Sequence, residues 1–211
     1  MDKIDITDSR IENYIHSLYP RVHEVFYEME KRAEETDIKI VGPLVGRFLS
    51  QICLLQKPQS VFEMGSGFGY SALWFSLFLK AGAAVTCTDH LEENGEAARE
   101  YFTRAGQIRK LRFIRGDALD ILENSDCKFD MIFNDIDKED YPRVIGLARE
   151  KLNSGGILIT DNVLWGGRVL RGGGSESTEG VLEFNEILFS DPGFFSTVIP
   201  LRDGVALSVK V

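Results

Sequence analysis

The chain of 211 residues is poor in cysteine, histidine and positive charge, and it has no long apolar run. Each shortage narrows what it can be. The three cysteines, Cys53, Cys87 and Cys127, are odd in number, widely spaced and without a CxxC pair. They fit a reducing cytoplasm rather than a disulfide framework. His16, His23 and His90 lie far apart, so no histidine cluster offers chemistry. Lys and Arg number 24 against 33 Asp and Glu, a formal charge of −9. A field of that sign opposes nucleic-acid backbones and anionic membranes, so neither is an expected partner. No segment approaches a membrane span, and residues 1–5 (MDKID) are polar where a signal peptide needs an apolar core. Internal repeats and low-complexity tails are absent too. A cytoplasmic protein is expected.

What is present is an ordinary globular composition, 44% hydrophobic and 27% charged, and length enough for one sizeable core. A single domain, 1–211, is expected, with N-terminal helices over 1–56 and an α/β core over 57–211. Thr7, Asp8 and Ser9 offer helix-capping chemistry. Ile11, Ile15, Leu18, Val22, Val25 and Met29 then form a helical stripe, interrupted at Pro20. Packing on the main sheet is the expected use of that stripe; a dimer interface or a pocket cover is the alternative. Residues 38–46 read as turn-rich and lead into a helix over 48–55. From Lys57 strands alternate with helices. Strands are predicted at 61–64, 84–88, 111–116, 130–134 and 156–160, and helices at 71–80, 92–104, 118–124, 139–152 and 179–190. Two closing strands, 194–200 and 205–211, flank Arg202-Asp203-Gly204, a hairpin turn. The alternation predicts a doubly wound, mostly parallel seven-stranded sheet with an antiparallel C-terminal hairpin strand. Trp74, Phe75 and Phe78 read as a helix face for that sheet and Cys87 as core. Residues 166–180, rich in glycine, are the one expected mobile lid.

The chemistry concentrates at strand ends. Met131, Ile132 and Phe133 run into Asp135, Asp137 and Lys138; 157–160 run into Asp161 and Asn162. Ligands of open α/β sheets bind beyond the carboxyl ends of strands. If those two strands are neighbours, Asp135, Asp161 and Asn162 converge with three oxygen ligands, which suits Mg²⁺, Mn²⁺ or Ca²⁺. The plainer alternative makes them helix caps and turn formers. After the first predicted strand comes Glu63-Met64-Gly65-Ser66-Gly67-Phe68-Gly69-Tyr70-Ser71. Its glycines let backbone approach a nucleoside, and Asp89, at the end of the next strand, suits ribose hydroxyls. Tyr70 stands where a dinucleotide fingerprint wants glycine, and Glu63 suits a methionine-bearing nucleoside.

The pattern E-x-G-x-G-x-G resembles the S-adenosylmethionine site of class I methyltransferases, which have a Rossmann-like fold. FDMIFNDIDKEDYP and GGILITDNVLWGGRV are similar to the cation-dependent O-methyltransferases, the family of catechol and caffeoyl-CoA O-methyltransferases, over nearly the whole chain. The resemblance implies Asp135, Asp161 and Asn162 as ligands of a divalent cation, Mg²⁺ first, and Lys138 as general base. It assigns Glu63, Gly65, Ser66, Gly67, Ser71, Asp89, Ala118 and Asp137 to the methyl donor, S-adenosylmethionine. Val41 would lie beside the donor's methionine portion and Trp165 beside the acceptor. Gly166 stands where plant enzymes carry an acceptor-contacting Asn, so a caffeoyl-CoA acceptor is not carried over. The resemblance also implies a homodimer.

The expected reaction is methyl transfer to one hydroxyl of a catechol-like aromatic diol, assisted by the cation. One alternative keeps the chemistry and makes the acceptor a hydroxylated tRNA nucleoside; the charge of −9 counts against it. An NAD-dependent oxidoreductase is opposed by Tyr70. A non-catalytic S-adenosylmethionine-binding protein is opposed by the intact set of Asp135, Asp161, Asn162 and Lys138.

Overall fold

The computed structural model describes residues 6–20 and 22–211. The polar residues 1–5, read above as lacking a signal peptide, lie outside it. Helix α1 (Ser9–Leu18) starts where Asp8 accepts a hydrogen bond from the Arg10 N–H, as the capping residues predict. It buries no residue, and Ile11, Tyr14 and Leu18 are more than half exposed. The expectation that the whole N-terminal stripe packs inward therefore fails for α1. It holds for α2 (Glu24–Thr36), which buries Val25, Phe26, Met29 and Ala33.

Helix α3 (Gly42–Gln56) begins six residues before the expected start. The reading of 42–46 as a turn was mistaken because Pro43 needs no N–H in the first helical turn, where no intrahelical partner exists. Strand β1 (Ser60–Met64) leads through the glycine loop to α4 (Tyr70–Phe78). Trp74 of α4 stacks on Phe26 with ring centroids 4.2 Å apart, while Phe75 meets the sheet at Phe133, 5.7 Å away. Phe78 is 40% exposed and does not join the sheet face predicted for it. The wound core continues with β2 (Ala84–Asp89), α5 (Glu92–Arg104), β3 (Leu111–Arg115), α6 (Ala118–Glu123) and β4 (Phe129–Asn134). A 3₁₀ turn, Lys138–Asp140, separates β4 from α7 (Tyr141–Lys151), dividing the one helix predicted there. Strand β5 (Leu152–Thr160) starts earlier than expected because Leu152 already pairs with Phe129, ahead of an irregularity in register. Helix α8 (Glu176–Ser190) and the antiparallel strands β6 (Phe194–Ile199) and β7 (Val205–Lys210) complete the chain.

The sheet order is β3-β2-β1-β4-β5-β7-β6, parallel from β3 to β5 and antiparallel at β7 and β6. Helices α2 to α5 cover one face and α6 to α8 the other, each over its own apolar cluster. The order in which strands are laid down reverses between the parallel neighbours β1 and β4, the switch point at which such sheets bind ligands. Because β7 runs antiparallel to β5, the turn before β7 lies at the same edge as the carboxyl ends of the parallel strands. Among the described residues, no helix is long and apolar enough to cross a membrane.

Candidate active site

The parallel ladder does not stop at the strand ends. The Asp135 N–H donates to Met64 O at 3.1 Å, and the Asp161 N–H donates to Asn134 O at the same distance. Two further rungs thus hold the first residue past β4 and the first past β5 side by side. Asp161 is 4% exposed, and its Oδ1 accepts from the Asn162 N–H at 2.8 Å. Burial, and then the neighbouring charge of Asp135, push the Asp161 carboxyl up to about 7. Burial also raises Asp135, against the pull of Lys138. Lys138 Nζ lies 3.0 Å from Asp135 Oδ1 and donates to Ile136 O at 3.0 Å; its side chain is 11% exposed. The ammonium sits over the rings of Tyr141 (4.8 Å) and Trp165 (5.8 Å), and the Tyr141 hydroxyl donates to Asp161 O. Asn162 and Trp165 both adopt left-handed backbone, φ +58° and +47°. Such residues carry strain that the surrounding structure must hold, and they cluster at functional sites.

These groups open on one cavity of about 860 Å³. Gly65, Gly67, Asp89, Ala118, Asp135, Asp137, Lys138, Asp161, Asn162 and Trp165, all singled out in the sequence, line it. Val41, Ser66 and Ser71 line a smaller recess of about 30 Å³ behind the glycine loop. Gly65 explains why loop and carboxylates share a wall. Its φ is +78°, and a Cβ there would stand 2.6 Å from the carbonyl oxygen of Asp135. Asp89 receives the Gly67 N–H at 3.1 Å on one oxygen, and the Leu91 N–H and Asn94 amide on the other. A carboxylate has lone pairs beyond those, so it can still meet a ligand hydroxyl.

Glu63 lines neither cavity. It is fully buried, receives the hydroxyl of Ser71 and the Cys87 thiol, and its carbonyl receives Thr88 Oγ1. It therefore stands behind the loop and braces Ser71. Burial, only partly opposed by these hydrogen bonds, pushes its carboxyl up to about 8. A group raised on folding contributes stability that is full below its unfolded value, about 4.3, and is lost as pH rises through the folded value. Stability should therefore fall from about pH 5 to about pH 8, by a few kcal/mol on this group alone. Glu63→Gln keeps an acceptor for Ser71 and should flatten that fall, which denaturant unfolding at stepped pH will measure.

The segment expected as a mobile lid is largely structured. Residues Trp165–Leu170 form two short 3₁₀ turns kinked at Gly166 and Gly167, the Gly166 N–H donates to Asp203, and Ser177 of α8 donates to Glu139 at 2.5 Å. Arg202 and Asp203 also line the cavity, with Lys39, Thr88, His90, Asp117 and Glu12. Arg202 and Asp203 passed unnoticed as a mere turn. The topology held the signal, since a hairpin strand antiparallel to β5 must begin at the ligand-binding edge.

Comparison with known proteins follows this geometry. An O-methyltransferase family model matches residues 16–211. The chain belongs to that family. A caffeoyl-CoA O-methyltransferase of Populus kitakamiensis is 31% identical, covering 93% of this chain and 92% of its own. A catechol O-methyltransferase of Niastella koreensis is 28% identical over 80% and 81%. The fold matches an O-methyltransferase of Streptomyces achromogenes in complex with S-adenosylmethionine, with a TM-score of 0.88, 25% identity and 96% of both chains covered. The protein is an S-adenosylmethionine-dependent O-methyltransferase of the caffeoyl-CoA and catechol type. Among the described residues of this methyltransferase, no three His, Cys, Asp or Glu side chains gather as a metal cluster. The expected set differs in kind, being two carboxylates and the Asn162 amide. Two neighbouring acids, the buried one raised by the charge of the other, suit a bound cation, which would relieve that repulsion.

Proposed function

We propose that this methyltransferase uses a divalent cation, Mg²⁺ before Mn²⁺ or Ca²⁺, to methylate one hydroxyl of a catechol-like small aromatic acceptor. The observation that carries the reading is the pair Asp135 and Asp161, the first half-buried and the second buried, on adjacent ladder rungs and opening with Lys138 into the cavity of the glycine loop. Asp135, Asp161 and Asn162 would hold the cation. When bound, it would supply a chelation point for two adjacent hydroxyls and stabilise the oxyanion of one.

The chain's own residues do the rest. Gly65, Ser66, Gly67 and Ser71, the last braced by Glu63, form the donor loop; Asp89 meets the ribose; Ala118 and Asp137 border the donor; Val41 closes its methionine end. Lys138, within hydrogen-bond reach of Asp135, acts as the free amine, its ammonium proton having left to solvent, and receives the proton of the acceptor hydroxyl. Trp165 forms the acceptor wall. Holding the acceptor oxygen in line with the sulfonium methyl contributes much of the rate. The enzyme works as one domain in the cytoplasm and as a homodimer, for which the exposed apolar side chains of α1 are suited.

Methyl transfer from labelled S-adenosylmethionine to vicinal diols and to single phenols tests the reading. Diols should turn over, phenols should not, and EDTA should abolish transfer. Equal turnover of phenols would sink the chelating acceptor, and turnover of a hydroxylated tRNA nucleoside alone would replace it.

A further inference from the structure

Arg202 is an improbable residue for its position. Its φ of +51° is left-handed, a conformation glycine adopts at less cost. Its side chain explains the choice. Nη1 donates to the carbonyl of Ile40 at 3.0 Å and also to that of Val41. The space the guanidinium fills exists because residue 42 is glycine, where a Cβ would stand 2.7 Å from Nη1. The same turn grips the opposite wall. The Asp203 carboxylate receives the Gly166 N–H, and the carbonyls of Asp203 and Gly204 receive the Leu164 and Val163 N–H groups, each at 3.0 Å. Residues 163–166 follow Asn162 and include Trp165. Residues 38–41 close the recess against Gly65, Ser66 and Ser71. One short turn thus spans the cavity from the donor end to the acceptor wall. The Arg202 charge also bears on Asp135 and Asp161.

We propose that Arg202 is a positioning residue for methyl transfer: it holds residues 40 and 41 against the glycine loop from the turn that anchors the Trp165 wall, so that donor affinity and donor–acceptor geometry are set together. The inference rests on the assignment of residues 38–41 and the glycine loop to the methyl donor.

The test is calorimetric titration of S-adenosylhomocysteine into wild type, Arg202→Gly, Gly42→Ala and the double variant, with thermal melting beside it. Glycine suits the left-handed turn, so Arg202→Gly should stay folded. Two hydrogen bonds from a charged donor are lost, and the Kd for S-adenosylhomocysteine should rise about tenfold. The KM for the donor should rise in step, with a smaller fall in kcat. Gly42→Ala should reproduce the loss, by displacing the guanidinium and by placing a side chain at a φ of +70°, and the double variant should bind no more weakly than the weaker single one, because both break one contact. Arg202→Lys, with one ammonium for two carbonyls, should lie between. Wild-type binding with Arg202→Gly unchanged would overturn this inference alone. No binding by the wild type would overturn the donor-site assignment and this inference with it.

Discussion

Asp161→Asn should reduce kcat/KM for a vicinal diol by about a thousandfold, the equivalent of about 4 kcal/mol of transition-state stabilisation. The substitution is chosen to remove charge and little else. Asparagine keeps an oxygen to receive the Asn162 N–H, and the bond from Tyr141 goes to the backbone carbonyl, which is untouched. The fold should therefore survive. Metal-free protein should melt no lower than wild type, since a buried carboxylate that repels Asp135 has gone. Affinity for S-adenosylhomocysteine should be unchanged, because Asp161 is not assigned to the donor. The combination of intact donor binding, intact melting and lost turnover separates a metal ligand from a structural acid. Turnover within tenfold of wild type would remove Asp161 from the mechanism.

Lys138 gives the second large effect. Lys138→Met retains a flexible chain against the Tyr141 and Trp165 rings and removes Nζ; kcat should fall by about 10²–10⁴ with little change in KM. The informative partner is Lys138→Arg. Its guanidinium keeps the charge beside Asp135 but does not deprotonate in proteins, so it cannot serve as base. If the positive charge were what mattered, the arginine variant would be active and the methionine variant dead. The proposed role predicts that both are slow. Cation binding offers an independent check, since Lys138→Met frees Asp135 from its salt bridge and should bind Mn²⁺ at least as tightly as wild type.

Much of this architecture was legible because parallel strands are short apolar runs and their ends are punctuated. Ile132 and Leu158 mark two such runs, and the acids that follow each fall at the binding edge by topology alone. The glycine loop was equally plain, although Gly65 proves to serve the close approach of the loop to Asp135. What stayed hidden was tertiary. Glu63 reads as a contact of the donor, and only packing adds that it receives the Ser71 hydroxyl. The α1 stripe has helical periodicity whether or not anything covers it, and nothing in its spacing says that it stays exposed. Arg202 was lost because a turn signal describes backbone, and the reach of a long side chain to residues 40 and 41 is set by the fold. The early start of α3 was lost for a local reason, since Gly42 and Pro43 read as part of a turn where they begin a helix.

The most direct test of metal-assisted transfer is titration of Mn²⁺ into EDTA-stripped enzyme held with S-adenosylhomocysteine, followed by the loss of free Mn²⁺ signal in electron paramagnetic resonance. Wild type should bind one ion per chain, more tightly when catechol is present, and Asp135→Asn and Asp161→Asn should bind none. Catechol methylation by stripped enzyme that binds no Mn²⁺ would contradict the account.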